Sequence, residues 1–60
     1  MMTYNDLRKN IDIQVAVHLC WYNYDTEERV FGSYEELGDK EINYMYTEHD
    51  EIIIEVDMEN

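Results

Sequence analysis

Between Ile11 and Tyr22 the chain alternates. Ile11, Ile13, Val15, Val17, Leu19 and Trp21 fall on one parity, and Asp12, Gln14, Ala16, His18, Cys20 and Tyr22 on the other. A period of two, carried by β-branched residues, predicts a strand whose odd-numbered face meets the core. The even-numbered face is only half polar, because Ala16, Cys20 and Tyr22 are poor choices for open water. Upstream, Thr3-Tyr4-Asn5-Asp6 predicts a helix start with Thr3 as cap and an acid in the first turn. Arg8 and Lys9 suit the carboxyl end of that helix, and Asn10 closes it.

Asn23 to Glu28 is a polar turn, and Arg29 to Gly32 returns as a short strand with Val30 and Phe31 on opposite faces. Ser33-Tyr34-Glu35-Glu36 has the capping-box spacing, and it predicts one helical turn over 34–37. Gly38 then suits a left-handed residue after the helix. Glu41 to Tyr46 is a third strand with Ile42, Tyr44 and Tyr46 on one face. After a turn over Thr47–Asp50, Glu51 to Met58 is a fourth, with Ile52, Ile54, Val56 and Met58 opposite Glu51, Ile53, Glu55 and Asp57. Consecutive strands joined by short polar turns usually pair as antiparallel neighbours. The expected fold is therefore α+β: a four-stranded antiparallel meander, a short N-terminal helix, and a one-turn helix between strands 2 and 3. The expected core is Leu7, Ile11, Ile13, Val15, Val17, Leu19, Trp21, Ile42, Tyr44, Ile52, Ile54 and Val56.

Length makes this one domain, residues 1–60, with little surface to bury. Proline is absent, and the single Cys20 permits no internal disulfide, which fits a reducing compartment. No apolar run reaches the ~18–20 residues of a membrane span, and residues 1–10 lack the apolar centre of a signal peptide. These features predict a cytoplasmic protein, in the host cytoplasm if it is viral, with no membrane partner. Residues 57–60 are expected to fray.

Charge sharpens the picture. Fifteen Asp and Glu face four Lys and Arg, for a net charge of −11. Residues 1–24 balance Asp6 and Asp12 against Arg8 and Lys9, so the whole excess lies in residues 25–60. Such a field repels nucleic acid and acidic lipid and attracts basic protein surfaces.

Chemistry finds less support. His18 and Cys20 share a strand face, but structural zinc needs about four ligands, and the other histidine, His49, lies in a distant turn. Glu48-His49-Asp50-Glu51 and Asp25-Thr26-Glu27-Glu28 are oxygen-rich without the glycine a calcium loop needs. Ser33 is spent as a cap, and Cys20 has no evident activating base. So small a domain leaves no deep pocket in which to shift carboxyl groups. No enzyme activity, metal or other cofactor is expected.

The acids are the remaining signal. As a merely solvating surface they exceed the magnitude of about 2–8 that serves solubility in a small domain. Glu51, Glu55, Asp57 and Glu59 share strand parity, and residues two apart lie about 6.6 Å apart on one face. That row resembles a string of phosphates in kind, at about half or less of the charge density of a nucleic-acid strand with its roughly 3.4 Å per phosphate. Glu35, Glu36, Asp39 and Glu41 extend the acidic stretch, and Tyr24, Phe31 and Tyr34 lie nearby as aromatic anchors.

In size, acidity and its pattern of a helix with an antiparallel sheet, the chain resembles the small acidic inhibitors made by bacteriophages. Uracil-DNA glycosylase inhibitors and several anti-restriction and anti-CRISPR proteins are of this kind. The resemblance implies an inhibitor that blocks a host nucleic-acid-processing or defence enzyme by DNA mimicry or charge complementarity, without binding nucleic acid itself. The expected partner-binding residues are Phe31, Tyr34, Glu35, Glu36, Asp39, Glu51, Glu55 and Asp57. The alternative is an accessory or assembly protein that acts as an oligomer. Under either reading a homodimer is expected, through the second face of the first strand, Ala16, His18, Cys20 and Tyr22, with Ile53 and Met45 as neighbours.

Overall fold

The computed structural model describes residues 2–58. It is a small α+β domain with a four-stranded mixed sheet and two short helices: α1 (Tyr4–Asn10), β1 (Val17–Asn23), β2 (Glu28–Gly32), α2 (Tyr34–Leu37), β3 (Ile42–Glu48) and β4 (Glu51–Val56). Met1, Glu59 and Asn60 lie outside the described residues, and with them the end of the expected acidic row and of the expected fraying segment.

Both helices start as the sequence predicts. The Thr3 hydroxyl accepts from the Asp6 amide in α1. In α2, Ser33 accepts from the Glu36 amide while the Glu36 carboxylate accepts from the Ser33 amide, a complete capping box. Gly38 is a correction. Its backbone is right-handed, φ −64° and ψ −23°, so conformational freedom is not why glycine stands there. A Cβ would run into the Tyr34 carbonyl and lie 2.7 Å from Asn5 Oδ1. The glycine lets α1 approach α2, and the Asn5 amide donates to its carbonyl at 3.0 Å.

The sheet order is β2-β1-β4-β3, which overturns the expected meander. β1 pairs antiparallel with β2, and β3 with β4, but the two central strands, β1 and β4, run parallel. The polar turns do close two hairpins. The error lies between them, where the chain from Gly32 to Ile42, with α2 in it, carries β3 to the far edge of the sheet.

The first strand is also shorter than its alternation. It begins at Val17, not Ile11. β4 starts at Glu51 and meets β1 at Val17↔Ile52, while β2 ends at Gly32 opposite Leu19. Residues 11–16 therefore have no strand beside them, beyond the Ala16 carbonyl that accepts from the Ile52 amide at 2.9 Å. Ile11 and Val15 are exposed and Ile13 is only partly covered, so these three leave the expected core. At the other end, β4 stops at Val56, and Met58 is exposed.

Tyr44 leaves the core for a different reason. Ile42 pairs with Val56 and Tyr44 with Glu55, so Asn43 is an extra residue in β3. This bulge puts Tyr44 and Tyr46 on the face opposite Ile42. It also puts Met45 opposite Ile54, on the helix side and not beside Ile53 as expected.

The core proper is Leu19, Leu37, Ile54 and Val56, with Tyr4, Leu7, Val17, Trp21, Ile42 and Ile52 packed against it. It lies between the helices and one face of the sheet. The first residues of the chain bind the lead into β3, with a bridge between Thr3 and Glu41 and the Ile42 amide donating to the Met2 carbonyl at 2.9 Å.

Candidate functional site

The face of the sheet without helices follows from the register. β2 contributes Arg29 and Phe31, and β1 contributes His18, Cys20 and Tyr22. β4 adds Glu51, Ile53 and Glu55, and the bulge brings Tyr44, Tyr46 and Glu48 of β3 to the same side. The residues expected to bind a partner and those expected to bind a second copy therefore share one surface, where Glu51, Glu55 and Phe31 flank His18, Cys20, Tyr22 and Ile53. Ala16 precedes β1 and is exposed.

The rest of the expected partner set lies elsewhere. Tyr34, Glu35 and Glu36 belong to α2, and Asp39 follows it. Arg8 of α1 lies over the Tyr34 ring at 4.3 Å, and Asn5 donates to Asp39 at 2.6 Å. The acidic stretch that is continuous in sequence is thus divided between the helix layer and the open face, with Asp57 just past the end of β4.

At the centre of the open face Cys20 is fully buried and Ile53 nearly so. No helix covers them; polar and aromatic side chains from both edges do. Arg29, on the β2 edge, donates to both oxygens of Glu48, on the β3 edge, each at 3.1 Å, and to the Tyr46 hydroxyl at 3.2 Å. That link spans the two central strands. The same guanidinium lies 5.4 Å from the centre of the Phe31 ring, and His18 meets that ring edge-on at 6.4 Å. His18 Nε2 is 3.0 Å from Glu51.

The charges respond to this arrangement. The bidentate bond from Arg29 holds the Glu48 carboxyl below its ordinary range, and Glu48, then Tyr46, hold the Arg29 guanidinium more firmly protonated. Burial pushes the Cys20 thiol up, and the Glu55 carboxylate adds to the effect while Arg29 opposes it. A buried, protonated thiol is a poor nucleophile. Among the described residues no three His, Cys, Asp or Glu side chains converge in a cluster able to hold a metal ion, and no helix is long and apolar enough to cross a membrane.

Around this covered centre the rim is open. Tyr44 is 62% exposed and Phe31 51%. At the carboxyl end of the parallel pair, Tyr22 and Tyr24 form an edge-to-face pair 4.8 Å apart. Exposed aromatic rings among Glu48, Glu51 and Glu55 make a surface with both the apolar anchors and the charge of a docking site.

Sequence reasoning missed the Arg29–Glu48–Tyr46 link and the place of Tyr44. Both depend on the Asn43 bulge and on β2 and β3 being opposite edges, neither of which has a local signature. Comparison with protein-family models, with curated proteins and with solved structures returns no match.

Proposed function

We propose that the protein is a small acidic binding protein whose open sheet face docks on a basic surface of a nucleic-acid-processing or defence enzyme and blocks it, as bacteriophage inhibitors do. The supporting observation is the exposed aromatic rim of Phe31 and Tyr44 set among Glu48, Glu51 and Glu55 on the one sheet face that no helix covers. Electrostatic attraction would speed the encounter, and burial of the rings would set the lifetime of the complex. The reading uses Phe31, Glu51 and Glu55 of the expected partner set and gives no role to Tyr34, Glu35, Glu36 or Asp39 on the helix layer.

A second copy is a weaker occupant of this face. A two-fold contact sets a patch against itself, so the Glu51 and Glu55 rows would meet their own charge. Cys20 and Ile53, which would motivate such a contact, are already buried within one chain.

The test is affinity capture from bacterial lysate, followed by competition on the enzyme recovered. The wild-type chain should retain a basic nucleic-acid enzyme at low salt, release it at high salt, and displace DNA or RNA from it. The double variant Phe31→Ala, Glu51→Lys should retain its fold and lose that enzyme. Simultaneous binding of protein and nucleic acid would sink the blocking mechanism. A dimer in light scattering that the double variant abolishes, with no enzyme recovered, would favour assembly through the same face.

A further inference from the structure

The open face does not stop at the strand ends. Beyond the carboxyl end of β1 and β4 it runs into a pocket of about 450 Å³, within the size range of binding sites for small groups. Its lining includes Tyr22, Tyr24 and Asp25 from the end of β1 and the β1–β2 turn, and Glu55, Asp57 and Met58 from the end of β4 and the residues after it. The turn is held in place by the Asn23 side chain, which accepts from the Asp25 amide at 2.9 Å.

Aromatic rings facing carboxylates select organic cations. The negative ring face attracts a cation of low hydration, and the carboxylate completes the charge. Guanidinium suits such a wall better than ammonium, because it is planar, weakly hydrated, and can stack and fork a carboxylate at once. The molecule shows this chemistry in its own contacts: Arg8 sits on Tyr34, and Arg29 sits near Phe31 while gripping Glu48. Neither arginine lines this pocket, although Arg29 pairs across the strands with Tyr22.

We propose that the pocket between Tyr22, Tyr24, Asp25 and Glu55 is a subsite for an arginine side chain of the basic partner. The inference rests on the docking reading above and adds to it the identity of the anchoring group. The guanidinium stacks on the tyrosine pair and donates to Glu55 and Asp25, while the rest of the partner lies along the sheet face.

The experiment titrates two blocked tripeptides, acetyl-Gly-Arg-Gly-amide and its Lys counterpart, into the full chain, followed by amide and aromatic NMR shifts. Saturable shifts centred on Tyr22, Tyr24 and Asp25, tighter for the Arg peptide, are expected. Tyr24→Ala should weaken that binding about fivefold, the scale of one lost cation–π contact. Tyr24 is 78% exposed, so the fold does not depend on it, and Asp25→Asn serves as a second, isosteric variant. Equal shifts for both peptides, shifts spread over all acidic residues, or shifts indifferent to Tyr24→Ala and Asp25→Asn would each overturn the subsite. The two readings fail separately. Capture of an enzyme that depends on Phe31 and Glu51, without arginine selectivity, would refute the subsite and leave the docking face. Arginine selectivity with capture indifferent to Phe31 and Glu51 would refute the face.

Discussion

The two faces of the sheet bury their centres by different means. On one, Leu19, Ile54 and Val56 meet Leu37 of α2 in an apolar cluster. On the other, Cys20 and Ile53 are equally buried, but beneath an ion-paired arginine and aromatic rings anchored at the sheet edges. An apolar cover gains stability from each methylene it removes from water. A half-exposed ion pair gains little, because solvent screens it. The helix side therefore holds the fold, while the open side excludes water from its middle and leaves the rings of its rim exposed.

Substitutions should separate the two. Leu37→Ala, at 3% exposure, removes the plug of the helix side and should cost about 2–5 kcal/mol, most or all of the stability of a domain this small. Phe31→Ala, on the open side, where the ring is half exposed and touches Arg29 and His18, should cost about 1 kcal/mol while removing the proposed partner binding. Chemical denaturation of both variants checks the contrast, and an equal loss from the two would erase it.

Gly38→Ala tests how the helix side is assembled. The added methyl must push Asn5 or the end of α2 aside, an overpacking cost of about 1–3 kcal/mol. Unfolding midpoints should fall accordingly, with α1 amides exchanging fastest. An unchanged midpoint would mean that α1 is not pinned through Gly38.

How much of this contrast the sequence reveals depends on range. Caps are local, so Thr3, Ser33 and Glu36 could be read directly. Alternation is local too, and it places Leu19, Ile54 and Val56 in the core and Glu51, Ile53 and Glu55 on the opposite side. It fails at Ile11, Ile13 and Val15, where the pattern continues but no neighbouring strand does. It fails again at Tyr44, where one extra residue in β3 reverses the parity. The parallel centre was hidden because a helical turn between hairpins serves equally well as a corner or as a crossover. The candidate site is half legible for the same reason: Glu51, Glu55 and Phe31 are in the expected set, but Glu48, Tyr44, Tyr46 and Arg29 reach it only through the strand order.

The smallest effect belongs to the link across the open side. Arg29 holds the Glu48 carboxyl below its ordinary value. The stabilisation it gives is complete above the unfolded-state value and is lost as pH falls through the lower folded one. Side-chain carbon shifts should show Glu48 titrating below an ordinary glutamate, and Arg29→Gln should return it to that range. The accompanying change in stability should be slight, since both groups are substantially exposed. An unshifted Glu48 would mean that the link is not held in solution.

The parallel seam between β1 and β4 has one more consequence. Each hairpin is a nearby stretch of chain, but His18 and Glu51, or Arg29 and Glu48, come from different hairpins and meet only when the seam closes. The proposed binding surface is in this sense a property of the joined halves. A chain with its hairpins formed but unjoined would carry every residue of the face and none of its geometry. A ligand gripping both sides of the seam would act as a clasp, and its binding would appear as slower exchange of the β1 and β4 amides.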